Sequence, residues 1–143
     1  MVRELGESPL DALDRHLALE PQAPPDPKDL APDDVVIEVR AAGVGWVDLL
    51  MMSGQYQHVP EPPYTPGMEY AGVVTWRGDA AEGVEVGDEV IVDGLLTGPR
   101  SLGAHQRWGG FASYAVAPRA AVLPKPAPLS LDAASVLLGA YET

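Results

Sequence analysis

The stretch Pro63-Tyr64-Thr65-Pro66-Gly67-Met68-Glu69-Tyr70-Ala71-Gly72-Val73-Val74 decides the fold of this chain. Its two prolines fix φ at about −65° and stiffen the approach, and Gly67 permits a sharp turn. From Tyr70 the residues are small or β-branched, which predicts a buried strand whose Gly72 lets another backbone or a ligand come close. The turn delivers the Glu69 carboxylate to the mouth of this strand. Two interpretations of Glu69 stay open: a functional group of a site, or a structural hydrogen-bond acceptor at a barrel corner.

Short strands and turns surround this central stretch. In residues 35–42, Val35, Ile37 and Val39 face one way and Glu38 and Arg40 the other, which is the pattern of a half-buried strand. A turn at Gly87-Asp88 predicts another strand up to residue 92, and further strands are predicted over 111–117 and 120–123. Helices are predicted over 46–52 and, after the N-cap Ser130, over 136–143. Many short strands with few short helices favour a mainly β barrel or sandwich.

Composition narrows the classes of function. The chain of 143 residues has the length of one domain, and its lack of cysteine excludes disulfides, thiolate zinc sites and a cysteine nucleophile. A net charge of −12 argues against nucleic acid or an anionic membrane as partner. No apolar run approaches the ~20 residues of a membrane span, and the first residues lack the basic and apolar regions of a signal peptide. These features predict a cytoplasmic protein.

Two segments are predicted to lack regular structure. Residues 21–32 contain five prolines and are expected to form an extended surface connection. Residues 93–110 form a long loop that contains Arg100, His105 and Trp108. A structureless loop of that length in a compact domain is typically functional or mobile.

Taken together, these segments resemble the N-terminal catalytic domain of the medium-chain dehydrogenase/reductase superfamily, in its zinc-independent quinone oxidoreductase and enoyl reductase branch. The resemblance rests on an ordered series of motifs: VVIEVRAAGVG (35–45), Asp48, SGQY (53–56), PGMEYAGVV (66–74), VGDEVIV (86–92), GGFASYAV (109–116) and the helix expected over 130–143. It implies a partly open GroES-like β-barrel in residues 1–129. Residues 130–143 would start the helix that leads to a Rossmann-type cofactor domain, which is absent here.

The resemblance also bears on metal binding. Zinc-dependent relatives place a Cys-His pair where this chain has Gly45-Trp46, and a Gly-His-Glu where it has Gly67-Met68-Glu69. Zinc needs about four nitrogen, sulfur or oxygen ligands, and of these only the Glu69 carboxylate is left. The three histidines (His16, His58 and His105) have no ligand spacing and are interpreted as surface or loop residues. The chain is therefore expected to hold no zinc.

The same resemblance supplies the candidate site residues. Tyr56 matches a tyrosine that lies beside the nicotinamide in related reductases, where a phenol would donate a hydrogen bond or proton to the oxygen that gains charge; the alternative is a tyrosine that only covers the barrel. The expected substrate pocket consists of Gly45, Trp46, Met68, Glu69 and Trp108. The expected cofactor contacts are Gly45, Tyr56 and Thr143. Asp48 is interpreted as structural, as a cap of the short helix.

The resemblance implies that the chain is the substrate-binding and catalytic half of an oxidoreductase that reduces a quinone or an activated C=C bond. The expected cofactor is NADPH or NADH, and the expected partner is a small-molecule substrate. The chain contains no Gly-x-Gly-x-x-Gly fingerprint, so the cofactor is expected to bind mainly to a Rossmann-type domain, in cis or in trans. Asparagine, which many quinone oxidoreductases carry at the position of Gly45, is missing. The chain would then be a fragment or one half of a split enzyme, with homo-oligomers possible. The alternative is a stand-alone GroES-like barrel that serves in binding or assembly.

Overall fold

A computed structural model describes residues 1–139 of the chain, and within them it shows a five-stranded sheet with short helices around it. The strands are β1 (Asp34–Gly43), β2 (Glu69–Arg77), β3 (Glu89–Val92), β4 (Tyr114–Pro118) and β5 (Val122–Pro124). The α-helices are α1 (Pro9–Asp11), which continues as a π-helical turn over Ala12–His16, then α2 (Trp46–Met52) and α3 (Leu131–Ala134). Single 3-10 turns occupy Pro27–Asp29, Pro99–Ser101 and Arg119–Ala121.

The sheet has the strand order β4-β1-β2-β3-β5, and all of its pairings are antiparallel. The central stretch of the sequence supplies β2, which pairs along β1 from Val35 opposite Arg77 to Gly43 opposite Glu69. The register of this pair shifts twice, and such bulges bend the strands and increase their twist. The sheet therefore curls into a half-barrel, which confirms the predicted mainly β, partly open GroES-like fold.

Two glycines of the central stretch are required by their surroundings. Gly67 has a φ of 105°, a main-chain conformation that residues with a Cβ rarely adopt. A Cβ at this position would also lie 2.6 Å from the main-chain nitrogen of Phe111. A Cβ at Gly72 would collide with the main-chain carbonyl oxygen of Glu38 on the paired strand. The predicted close approach at Gly72 is therefore confirmed, and the approaching group is backbone.

Apolar side chains form three clusters within residues 1–139. The largest fills the half-barrel with residues from all five strands, including Val35, Tyr70 and Val90. A second joins the N-terminal segment to α2, and a third packs α3 against the outer face of β2 and β3. Val39 packs against the main cluster, on the same face as Val35 and Ile37, as their alternation predicts.

The C-terminal helix differs from the prediction. It begins at Leu131, because the Ser130 hydroxyl accepts a hydrogen bond from the Ala133 N–H at 3.2 Å and caps the first turn. It ends at Ala134, where the Ser135 hydroxyl donates to the Asp132 carbonyl at 2.9 Å and competes with the helical pattern. The helix predicted over 136–143 is thus wrong for its described part, since residues 135–139 form turns.

Candidate functional site

Asp48 ties two turns of the chain together at the end of the half-barrel. It lies in the first turn of α2, is 2% exposed, and its Oδ2 accepts a hydrogen bond from the Gly45 N–H at 3.0 Å. Its Oδ1 accepts from the N–H groups of Gly67 at 3.2 Å and Met68 at 3.1 Å. The predicted cap of the short helix is confirmed, and the same carboxylate also holds the central turn.

Burial decides the protonation behaviour of Asp48. Loss of water around the carboxyl raises its pKa above the ordinary value of 3.8, and the nearby Glu69 carboxylate raises it further. The three main-chain donors oppose this effect by stabilising the charged form, although they do not cancel it. The turn is therefore held by a carboxylate whose charge is costly, which couples its stability to pH.

Glu69 follows this turn as the first residue of β2. Its Oε2 accepts a hydrogen bond from the Gly139 N–H at 3.0 Å, across 70 residues of sequence. Glu69 also lines a cleft, so the two interpretations of this residue are compatible. The carboxylate links the mouth of the strand to the segment after α3 and still faces the cleft.

The cleft has a volume of about 240 Å³, and we call it the Glu69 cleft. Its walls combine apolar side chains with three ionisable ones: Met68, Glu69, Asp93, Gly94, Leu95, Arg100, Leu123, Leu138 and Gly139. The residues come from the central turn, from the segment after β3, from β5 and from the chain after α3. Four distant parts of the sequence therefore meet at this point.

Only some of the residues predicted for the substrate pocket meet there. Met68 and Glu69 line the Glu69 cleft, whereas Gly45 does not line it and donates its N–H to Asp48. Trp46 is 66% exposed. Trp108 lines a separate groove of about 580 Å³, where Arg107 lies 5.1 Å from the centre of its ring. The structure does not bring all five predicted pocket residues together.

Tyr56 lies in the loop after α2 and is half-buried. Its ring centre is 5.9 Å from that of His58, at an angle of 52°. Within residues 1–139 its hydroxyl has no hydrogen-bond partner, and Tyr56 is not part of the Glu69 cleft. Its catalytic role stays a prediction. Thr143, the third predicted cofactor contact, lies outside the described residues.

Sequence reasoning missed two residues of this region. Arg100 lines the Glu69 cleft, and the only signal for it was its place as one of nine cationic residues in a strongly acidic chain. His105, interpreted as an ordinary loop residue, contacts the buried Asp34 at the start of β1, with 2.7 Å between Nε2 and Oδ1. This pair holds the loop that carries Arg100 against the barrel.

Within residues 1–139, no three side chains of histidine, cysteine, aspartate or glutamate are grouped closely enough to hold a metal ion. In the same residues, no helix has the length and apolar character needed to cross a membrane.

The curled antiparallel half-barrel and its fixed turn define a GroES-like domain of the medium-chain dehydrogenase/reductase superfamily. The sequence matches the alcohol dehydrogenase GroES-like domain over residues 31–127, and the chain belongs to that family.

Known proteins agree with this assignment. The chain is 34% identical over 116 residues to a quinone oxidoreductase-like protein 2 homolog of Nematostella vectensis, covering 81% of this chain and 29% of the relative. An alcohol dehydrogenase superfamily protein of Novosphingobium aromaticivorans matches with a TM-score of 0.74 and 28% identity, over 99% of this chain and 38% of that one. A putative zinc-binding dehydrogenase of Sinorhizobium meliloti, bound to NADP, matches with a TM-score of 0.61 and 25% identity, over 78% of this chain and 36% of that one. The chain thus spans well under half the length of these relatives.

Proposed function

We propose that the chain is the substrate-binding half of a zinc-independent, NAD(P)H-dependent oxidoreductase that reduces a quinone or an activated C=C bond. The observation that carries this proposal is the turn held by Asp48, which fixes Met68 and Glu69 at the wall of a cleft. The family of the chain and its relatives named for quinone oxidoreductase activity support it. Residues 1–129 are then the GroES-like domain, and residues 130–143 lead toward a cofactor domain.

The chain offers limited surface to a nicotinamide cofactor. Gly45 has no side chain to block the approach of a ligand, and a Cβ there would already be in van der Waals contact with Asp48 Oδ2 at 3.4 Å. A flat ring can therefore approach this main chain, and Tyr56 and Thr143 are the other contacts that we propose. The cofactor would supply hydride. Its phosphates need the glycine-rich turn of a Rossmann-type domain, which these 143 residues lack.

The proposed roles of the residues follow from their chemistry. Tyr56 would donate a hydrogen bond or proton to a substrate oxygen that extends beyond the Glu69 cleft, since Tyr56 does not line that cleft. Its phenol is half-buried and has no other partner in residues 1–139. Met68 and Glu69 bound the substrate, and Gly45 and Trp46 would complete the pocket once a cofactor domain is present. Trp108, which lines a separate groove, has no part in this proposal. We place the enzyme in the cytoplasm.

The test uses the full-length product of the gene, assayed for reduction of quinones and of small enones with NADPH and with NADH. Tyr56→Phe is expected to lower kcat by at least about tenfold, since general acid catalysis contributes roughly 10²–10⁴-fold. Tyr114→Phe is the matched control, because Tyr114 lies on β4 and its hydroxyl has no hydrogen-bond partner among the described residues. Full activity of Tyr56→Phe would remove the role of Tyr56. Absence of any reduction would favour the barrel as a binding or assembly module.

A further inference from the structure

Arg100 stands apart from every other cationic side chain that the structure describes. Six of the nine lysine and arginine side chains form ion pairs with carboxylates: Arg3, Arg15, Lys28, Arg40, Arg77 and Lys125. Arg119 donates to three main-chain carbonyls, and Arg107 stacks on Trp108. Arg100 makes no hydrogen bond and no ion pair with residues 1–139, and its Nε is buried without a partner.

This lack of a partner is unexpected in an acidic chain. With 21 acidic residues against nine lysine and arginine residues, carboxylates are abundant, and a buried guanidinium nitrogen without an acceptor is costly. The Pro99–Ser101 turn nevertheless places Arg100 in the wall of the Glu69 cleft. The side chain of Arg100 therefore lines a concave surface while its Nε is left without a partner among residues 1–139.

The two carboxylates of the cleft do not neutralise Arg100. Asp93 Oδ1 accepts a hydrogen bond from the Leu95 N–H at 2.8 Å, and Glu69 Oε2 accepts from the Gly139 N–H. Neither carboxylate lies within 4.0 Å of an Arg100 nitrogen, the limit for an ion pair. Main-chain N–H groups thus bind these two carboxylates, and neither carboxylate accepts a hydrogen bond from the Arg100 guanidinium.

We propose that Arg100 binds the carboxylate of a small substrate whose apolar body lies against Met68, Leu95 and Leu123. A planar guanidinium binds a carboxylate through two parallel hydrogen bonds. Two negative side chains in the same cleft disfavour a doubly charged phosphate more than a singly charged carboxylate. The volume of about 240 Å³ is enough for a small organic molecule.

This inference rests on the proposed function and names its substrate class: an enone that carries a carboxylate. Two compounds of this size differ only in the group that Arg100 would bind. The first, 4-oxo-2-pentenoate, has a carboxylate where the second, 3-penten-2-one, has a methyl group. The chain contains no cysteine, so neither enone can react with a thiol.

The binding experiment titrates the 143-residue chain with each compound and follows the Nε–H signal of Arg100 by NMR. 4-Oxo-2-pentenoate is expected to shift this signal to saturation, and 3-penten-2-one to leave it in place. Variants of Arg100 lack this signal, so their binding is followed through the main-chain N–H signals of Met68 and Leu95, which line the cleft. Arg100→Gln is expected to raise Kd for the carboxylate by at least about tenfold, the lower range for a hydrogen bond to a charged group. Arg100→Lys keeps the positive charge but loses the two parallel hydrogen bonds of the guanidinium, so its Kd is expected to lie between those of the wild-type chain and Arg100→Gln. Arg40→Gln, on the exposed side of β1, is the matched control.

Several results would overturn the inference. These are equal binding of the two enones, unchanged binding in Arg100→Gln, or no shift with any compound. A stronger shift with inorganic phosphate would assign Arg100 to a phosphate group instead. The comparison of the two enones on the wild-type chain needs no variant. Since the signal reports binding, it is separate from the reduction assay: loss of reduction alone contradicts the proposed function and leaves the role of Arg100 intact.

Discussion

Replacing Asp48 tests whether a single carboxylate holds the turn at the cleft. Asp48→Ala leaves the N–H groups of Gly67 and Met68 buried without an acceptor, and each such group costs about 1–3 kcal/mol. Removing a carboxyl whose burial is unfavourable returns part of this cost. We therefore expect a loss of about 3 kcal/mol in the free energy of unfolding. For a chain of this length that corresponds to a fall in Tm of roughly 10 °C.

Asp48→Asn separates the hydrogen bonds from the charge. The amide oxygen can still accept from Gly67 and Met68, while the amide nitrogen replaces the acceptor of the Gly45 N–H. One of three hydrogen bonds is lost, so we expect the free energy of unfolding to fall by about 1 kcal/mol. Urea unfolding followed by tryptophan fluorescence measures all variants. Asp79→Ala, an exposed aspartate in a turn, is the control and should change stability by less than about 0.5 kcal/mol.

The pH dependence of the same variants tests the charge. Because the pKa of Asp48 is raised on folding, the folded chain binds more protons than the unfolded chain at pH values between 3.8 and the folded pKa. The stability of the wild-type chain relative to Asp48→Asn therefore falls as pH rises from 3.8 through the folded pKa, and is constant above it. A relative stability that rises over this range would refute the reasoning. So would an Asp48→Ala variant as stable as Asp79→Ala.

Two further predictions concern the backbone and the long loop. Gly72→Ala forces a Cβ into the Glu38 carbonyl and should lower the free energy of unfolding in urea by about 1–3 kcal/mol. Gly103→Ala is the control and should be nearly neutral, because its Cβ would meet nothing within 3.8 Å. Equal effects of the two substitutions would contradict the requirement for glycine at position 72. His105→Ala removes the contact to Asp34 and should speed trypsin cleavage at Arg107 by about fivefold, since about 1 kcal/mol of local stability is lost. His58→Ala is its control, and equal cleavage rates would show that His105 does not anchor the loop.

The sequence predicted most accurately those features that depend on local chemistry. The prolines and Gly67 gave the turn before β2, and the alternation of Val35, Ile37 and Val39 gave the inner face of β1. Helix α2 has its predicted bounds because dense apolar residues end at Ser53-Gly54. Each of these signals lies within a few residues of the structure that it determines.

The composition of the cleft depends on contacts between distant residues. Arg100 reaches the cleft because the loop that carries it is held by His105 against Asp34, 71 residues earlier in the chain, and neither residue has a periodic or motif signal. The prediction that Trp46 and Trp108 line one substrate pocket rested on their residue type and on the resemblance to the family. The structure places Trp108 in a separate groove with Arg107, a separation that the positions in the sequence do not reveal.

The neighbouring carboxylates Asp48 and Glu69 connect the fold to the chemistry of the cleft. Glu69 lines the cleft, and its charge raises the pKa of Asp48, which holds the turn on the other side. A group that changes the field around Glu69 therefore also changes the cost of the Asp48 charge. An anion bound at Arg100 would add negative charge in the cleft that Glu69 lines. Because Asp48 accepts the hydrogen bonds of Gly67 and Met68, a further rise in its pKa would weaken the charge-assisted hydrogen bonds that hold this turn.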